Sequence, residues 1–151
     1  MSIVRLLDIN VLIALVDPWH VFHLAATEWM VSKSDGKWAT CPLTENGFLR
    51  VFGHPLYENG PGSPAAALPF LRQMYASPGH VFWKLDLSFV TGKTFQSLER
   101  IGPSQITDLY LLGLAAKRGG RFSTFDTRVQ PDAIQHGENY LEVIPTSPQR
   151  S

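Results

Sequence analysis

Asp8 and Asn10 are the first side chains in the sequence whose position points to chemistry. This carboxylate and this amide lie two residues apart, between the apolar runs 3–7 and 11–16. They cannot both be core residues without polar partners, because burying an unpaired polar group costs free energy. In an open parallel α/β sheet, ligands bind just outside the carboxyl ends of the strands. With run 3–7 as a strand, Asp8 lies at such a ligand-binding edge.

Three further carboxylates occupy comparable places. Asp126 directly follows a predicted strand over 121–124, whereas Glu45 and Asp108 each lie near the start of a predicted helix. In a parallel sheet, the carboxyl ends of strands and the amino ends of the helices that follow them share one edge. The sequence therefore predicts that four carboxylates meet in one acidic cleft. They are Asp8, Glu45, Asp108 and Asp126.

An acidic cleft of this kind needs a compensating charge. A helix amino terminus favours a nearby negative charge by only about 0.3–1 kcal/mol. Two carboxylates at about 4 Å repel each other by roughly 4 kcal/mol at an effective dielectric constant of 20. A cation must therefore occupy the cleft, or some carboxylates must take up protons. Hard oxygen ligands without His or Cys suit Mg²⁺ or Mn²⁺. Phosphodiester hydrolysis uses such sites, where one ion activates water and a second stabilises the leaving oxygen.

Strands and helices alternate along the chain and must position these carboxylates. Predicted strands cover 3–7, 37–41, 80–85, 121–124 and 140–144, and predicted helices cover 19–32, 43–52, 64–75 and 104–118. Residues 87–101 are expected to carry one or two short helical turns, and 127–137 a loop or one helical turn. This alternation predicts an α/β fold with a central parallel sheet of about five strands, covered by helices on both faces.

Composition and charge limit the function classes. A chain of 151 residues without a repeat or linker predicts a single domain over 1–151. The formal net charge is zero, so RNA or DNA binding must come from local basic patches. Candidates for such patches are Arg5, Arg50, Lys93, Arg100 and Arg128. Cys41 is the only cysteine, which excludes an intrachain disulfide and fits a reducing compartment. With no secretion signal or membrane-spanning run in the sequence, we expect a cytoplasmic protein without membrane association.

Four segments carry a resemblance to a known family. They are residues 7–12 (LDINVL), Glu45 in the second helical region, residues 107–115 (TDLYLLGLA) and residues 123–126 (STFD). In this order and on these elements, the chain resembles the PIN-domain ribonucleases, and in particular the VapC toxins of bacterial type II toxin–antitoxin modules. The resemblance implies a PIN-like three-layer fold.

The resemblance also implies a function, namely a Mg²⁺- or Mn²⁺-dependent endoribonuclease toxin that inhibits translation by cleaving structured RNA such as tRNA or rRNA. The metal ligands that it implies are Asp8, Glu45, Asp108 and Asp126. Asn10 and Thr124 would support the site through hydrogen bonds. Proteins of this family commonly form homodimers, and a cognate VapB-like antitoxin inhibits them by inserting a segment into the cleft.

Two alternatives from other functional classes stay open at this point. One is a phosphatase of the haloacid-dehalogenase kind, in which the strand-end aspartate is a nucleophile. Asn10 stands where that family has a second aspartate, and no lysine partner is evident. The other is a catalytically silent PIN binding module, in which the acidic cleft docks a basic peptide or an antitoxin arm. A third possibility is a housekeeping PIN nuclease that has no antitoxin.

Taken one at a time, the site residues also have structural explanations. Glu45 and Asp108 can be helix-dipole partners, Asp126 a turn residue and Asn10 a helix cap. Thr124 can simply end a strand. Cys41 is predicted to be a small buried thiol. The tryptophans are predicted to form core or dimer contacts, and they are Trp19, Trp29, Trp38 and Trp83. The metal site is therefore predicted from the convergence of four carboxylates rather than from any one of them.

Overall fold

A computed structural model describes residues 3–33 and 36–146 of the chain. The sequence also predicts a turn over 33–36 and a polar tail that begins at Pro145, and both fall partly outside these ranges. The strands are β1 (Val4–Leu7), β2 (Lys37–Thr40), β3 (His80–Phe82), β4 (Arg121–Thr124) and β5 (Leu141–Val143). The α-helices are α1 (Ile9–Val16), α2 (His23–Ser32), α3 (Pro42–Phe52), α4 (Pro64–Tyr75) and α5 (Ile106–Lys117).

The strands form one sheet in the order β3-β2-β1-β4-β5, and every neighbouring pair is parallel. β1 is the central strand, with β2 and β4 on either side. The prediction of an α/β fold around a parallel sheet of about five strands is confirmed. All carboxyl ends lie at one edge, so the residues that follow β1, β2 and β4 come close together there.

Helices cover both faces of this sheet. Leu7 and Trp38 pack into an apolar cluster with residues of α1, α2, α3 and α4. Leu6 and Ala39, their neighbours along the strands, pack into a second cluster with residues of α5. Successive residues of a strand point to opposite faces, which is why two apolar runs supply both clusters. The predicted three-layer arrangement is therefore confirmed, and Cys41 is buried in the second cluster, as predicted.

A glycine lets the two helices nearest the carboxyl edge approach each other. A Cβ atom added to Gly47 of α3 would lie 2.0 Å from Cδ1 of Ile9 in α1. Real Cβ atoms do not come so close to another carbon, so any larger residue at position 47 would require the Ile9 side chain, or α1 itself, to move. The contact fixes α3, which carries Glu45, against α1, whose first turn follows Asp8.

The helix predicted over 19–32 begins only at His23. Before it, the backbone N–H of Trp19 donates to Oδ1 of Asp17, and the backbone N–H of Phe22 donates to Nδ1 of His20. Local bonds of this kind compete with helical ones, so residues 19–22 form turns. Trp19 is 79% exposed, so of the two predicted places, core or dimer contact, the core is excluded for it, whereas the other three tryptophans are buried.

Residues 87–101 contain bends, a single bridge between Phe95 and Ile134, and one turn in which the Ile101 N–H donates to the Leu98 carbonyl; they contain no helix. Oγ of Ser88 accepts hydrogen bonds from the backbone N–H groups of Val90 and Thr91, which again replace helical bonds. The predicted strand over 80–85 ends at Phe82. Within 3–33 and 36–146, no helix combines the length and apolarity that crossing a membrane requires.

Candidate active site

Asp8 joins the central strand to the first helix. It follows β1 directly and is the N-cap residue of α1, where Oδ1 accepts a hydrogen bond of 2.7 Å from the backbone N–H of Ile9. Its side chain therefore caps the helix that Asn10 was considered to cap. Asp8 is only 4% exposed. Burial raises the pKa of this carboxyl group; hydrogen bonds from Thr124 and Ile9 oppose the shift, and repulsion from Asp126 adds to it.

Thr124, at the end of β4, joins two of the acidic residues. Its hydroxyl group donates to Oδ2 of Asp8 over 2.7 Å and accepts from the backbone N–H of Asp126 over 3.0 Å. The side chain is fully buried. Asp8 and the segment that carries Asp126 are thus tied to each other through one hydroxyl group. Asn10 is exposed in the first turn of α1, and its side chain makes no hydrogen bond to any residue of 3–33 or 36–146.

Asp126 is bound by the guanidinium of Arg128. Nε donates to Oδ1 and Nη2 donates to Oδ2, both over 3.0 Å, and the backbone N–H of Arg128 adds a third bond to Oδ1. These bonds, led by those from the side chain, lower the pKa of Asp126. The Arg128 side chain is 81% exposed, so it covers the carboxylate from the solvent side. The pair is a surface ion pair rather than a buried one.

Asp108 lies in the first turn of α5 and is half-buried. Burial raises its pKa to about 7, and repulsion from Asp8 and Asp126 adds to the shift, whereas Arg128 opposes it. Among the described residues, no group donates a hydrogen bond to this carboxylate. With Asp126, Arg128 and Gln105, it lines a small cavity of about 40 Å³. The fold therefore brings three of the four predicted carboxylates into one electrostatically coupled group, comprising Asp8, Asp108 and Asp126.

Glu45 lies in the first turn of α3, but its side chain makes different contacts. Oε2 accepts a hydrogen bond from the hydroxyl group of Tyr75, the last residue of α4. Glu45 is not among the causes of the pKa shifts of the three aspartates, which are burial, hydrogen bonds, Arg128 and, for Asp8 and Asp108, the neighbouring aspartates. Glu45 is therefore at the same edge of the sheet but on the side of β2 and β3. Sequence reasoning missed Tyr75 because an aromatic residue at a helix end carries no signal of a partner 30 residues away.

The oxygen atoms of these side chains are the only kind of donor that the site offers a divalent ion among the described residues. Carboxylate and hydroxyl oxygens are the ligands that Mg²⁺ and Mn²⁺ prefer. The mutual repulsion of three aspartates is what a bound cation relieves. Within the described part of the chain, no three His, Cys, Asp or Glu side chains are arranged as a ready metal-binding group. The chemistry of the donors fits the ion, and Arg128 supplies the positive charge beside Asp126 in this structure.

Comparison with known proteins adds independent information. No family model matches the chain. Ribonuclease VapC44 of Mycobacterium tuberculosis is 40% identical over 129 residues, which are 85% of this chain and 90% of the relative. Ribonuclease VapC39 of the same organism is 38% identical over 128 residues, covering 85% and 92% of the two chains. Ribonuclease VapC29, also from M. tuberculosis, is 38% identical over 142 residues, or 94% and 97%. With likeness of this extent and the three-layer fold around a parallel sheet, this chain belongs to the VapC family of ribonucleases.

Proposed function

We propose that this protein is a toxin that cleaves structured RNA, tRNA or rRNA, in a reaction that depends on Mg²⁺ or Mn²⁺ and so inhibits translation. The observation that carries the proposal is geometric: Thr124 joins Asp8 to Asp126 at the carboxyl edge of the sheet, and Asp126 and Asp108 line one cavity there. The ribonuclease names of the relatives support it and favour it over the phosphatase alternative. The same names favour a nuclease over a silent binding module.

Each carboxylate has a role in this proposal. Asp8, Asp108 and Asp126 would hold the ion, and Glu45 would be the fourth acidic ligand, directly or through water. A bound divalent ion supplies an acidic water molecule and neutralises charge on the phosphate. Thr124 keeps Oδ2 of Asp8 in one orientation. Asp108 is the carboxylate best suited to take up a proton from attacking water, because no hydrogen bond from a described residue holds it.

Exposed basic residues provide the contacts with RNA phosphates. Arg128 lies beside the coupled aspartates and is exposed. Arg50, Lys93 and Arg100 are exposed elsewhere on the described surface. Arg5 differs from them, since its Nε donates to Oε1 of Glu142 over 2.9 Å in a half-buried ion pair. We therefore assign RNA binding to Arg128, Arg50, Lys93 and Arg100. Arg5 has a structural role.

We further propose that the protein works in the cytoplasm as a homodimer and is neutralised by a cognate VapB-like antitoxin. Four apolar side chains support a protein-binding surface around α2, since more than half of each is exposed. They are Trp19, Val21, Leu24 and Val31. Size-exclusion chromatography tests the dimer: Leu24→Glu should give a monomer of unchanged secondary structure.

The central experiment is RNA cleavage by the purified full chain. With total tRNA or ribosomal RNA as substrate, we expect cleavage in Mg²⁺ or Mn²⁺ and none in excess EDTA, with recovery when the ion is added back. A small phosphomonoester substrate provides the comparison with the phosphatase alternative. Turnover of the phosphomonoester without RNA cleavage, or RNA cleavage unaffected by EDTA, would contradict the proposed function.

A further inference from the structure

A chain of hydrogen bonds that the sequence did not suggest ends on Glu45. Thr40 is fully buried at the end of β2, and its Oγ1 lies 2.9 Å from the hydroxyl oxygen of Tyr75 and 2.8 Å from Nε2 of His80. The Tyr75 hydroxyl group is in turn hydrogen-bonded to Oε2 of Glu45. Four side chains from β2, β3, α3 and α4 are thus linked in series.

The number of hydrogens fixes the direction of this series. The Tyr75 hydroxyl group has a single hydrogen and donates it to Oε2 of Glu45. Thr40 must then donate its own hydrogen to the Tyr75 oxygen, and His80 must carry a hydrogen on Nε2 and donate it to Thr40. Every bond points toward Glu45, and bonds aligned in series polarise and strengthen one another.

The sheet and two aromatic contacts hold this series in place. Trp38 pairs with His80 in the parallel register of β2 and β3, which puts the His80 side chain within reach of Thr40, two residues further along. The His80 ring lies against the Tyr75 ring with centroids 4.1 Å apart, and against Trp38 at 4.7 Å. These contacts restrict rotation of the His80 imidazole and the Tyr75 phenol, so both rings are held in their hydrogen-bonding positions.

We propose that His80, Thr40 and Tyr75 are positioning residues that hold the Glu45 carboxyl group in the orientation in which it would bind the divalent ion. This inference rests on the proposed function and deepens it. Tyr75 occupies Oε2, whereas Oε1 accepts no hydrogen bond from any described residue. One oxygen is thus anchored to the protein and the other is left for the ion. Groups that orient a ligand from behind typically change metal affinity about 10- to 100-fold when they are removed.

A purely structural network is the competing explanation. In that case, removing one hydroxyl group would lower stability and leave metal binding unchanged. Tyr57 offers a matched control, because its hydroxyl group donates to Oδ2 of Asp17 over 2.7 Å, beyond the carboxyl end of α1. Tyr57→Phe therefore removes the same kind of bond at the opposite end of α1 from Asp8.

The test measures Mn²⁺ binding to the full chain by calorimetry, together with thermal unfolding. We expect Tyr75→Phe to weaken Mn²⁺ about tenfold or more, and Tyr57→Phe to lower stability without changing the affinity. The effect of Tyr75→Phe should disappear in a Glu45→Gln background, because residues that act through one another are not additive. His80→Gln, which retains an N–H donor near the position of Nε2, should bind Mn²⁺ more tightly than His80→Leu.

The outcomes separate the two proposals. Wild-type binding of Mn²⁺ with an unchanged affinity in Tyr75→Phe would overturn the positioning role and leave the proposed function intact. The positioning role would also be overturned if Tyr75→Phe weakened Mn²⁺ binding equally in the wild-type and the Glu45→Gln backgrounds. Absence of Mn²⁺ binding to the wild-type chain would instead refute the metal site of the proposed function, and the positioning role with it.

Discussion

The hydroxyl group of Thr124 donates to Oδ2 of Asp8 over 2.7 Å, although 116 residues separate the two along the chain. The bond joins the ends of β1 and β4, which are neighbours in the sheet. It gives a buried carboxylate a fixed orientation at the edge where the acidic residues meet. A hydrogen bond to a charged group contributes about 1.5–3 kcal/mol, so it matters for stability as well as for the site.

Removing this bond should be measurable by itself. We expect Thr124→Val to lower the free energy of unfolding by about 1–3 kcal/mol, because Oδ2 of Asp8 is left buried without its donor. RNA cleavage should fall at the same time. Urea denaturation measures the first effect. Thr124→Ser keeps the hydroxyl group and should retain most of the activity; a Thr124→Val protein as stable as wild type would contradict this.

Asp8→Asn tests the most deeply buried carboxylate. The substitution removes a negative charge that burial disfavours, so we expect the free energy of unfolding to stay within about 1 kcal/mol of wild type. Metal-dependent RNA cleavage should fall below detection, because the amide is a poor ligand for a hard cation. Circular dichroism verifies the fold beside the cleavage assay. An Asp8→Asn protein with full activity would remove Asp8 from the site.

The raised pKa of Asp108 predicts how stability depends on pH. In the metal-free chain, the folded state keeps a proton on Asp108 up to a pKa of about 7, whereas the unfolded state loses it near the ordinary value of 3.8. The folded state therefore binds more protons between these values, and its stability falls as the pH rises from about 4 to 7.

Urea denaturation in EDTA at several pH values between 5 and 8 measures this effect. Asp108→Asn carries no titrating group at this position, so it should gain stability relative to wild type as the pH rises. Asp8, whose pKa is raised too, contributes a slope of the same sign in both proteins. A difference between the two proteins that is independent of pH would show that Asp108 titrates normally.

Arg128→Gln tests the cation that covers Asp126. Without the guanidinium, Asp126 loses its hydrogen-bonded counter-charge and is free to bind a divalent ion, so Mn²⁺ affinity measured by calorimetry should increase. Arg128→Lys keeps the charge and loses the forked contact of Nε and Nη2. Its affinity for Mn²⁺ should therefore lie between those of wild type and Arg128→Gln. Weaker Mn²⁺ binding by Arg128→Gln would mean that Arg128 supports the site rather than competing for it.

The order of the elements, the parallel sheet and the residues at its carboxyl edge follow from the amino-acid sequence alone. Apolar runs of strand length that alternate with helical patterns leave few other arrangements, because a parallel sheet must be buried on both faces. For the same reason, Asp8 and Asp126 could be placed at strand ends, and Asp108 and Glu45 at helix starts, without any coordinates.

Which of these acidic groups contact one another, and which contact other partners, depends on how the elements pack. Glu45 is hydrogen-bonded to Tyr75, and Arg128 lies on Asp126, because packing of α4 and local folding after β4 bring those partners together. Trp19 lies outside α2 and is exposed, because the side chains of Asp17 and His20 accept hydrogen bonds from the backbone of residues 19 and 22. Contacts of this kind join residues by geometry alone, and hydrophobic periodicity along the chain carries no record of them.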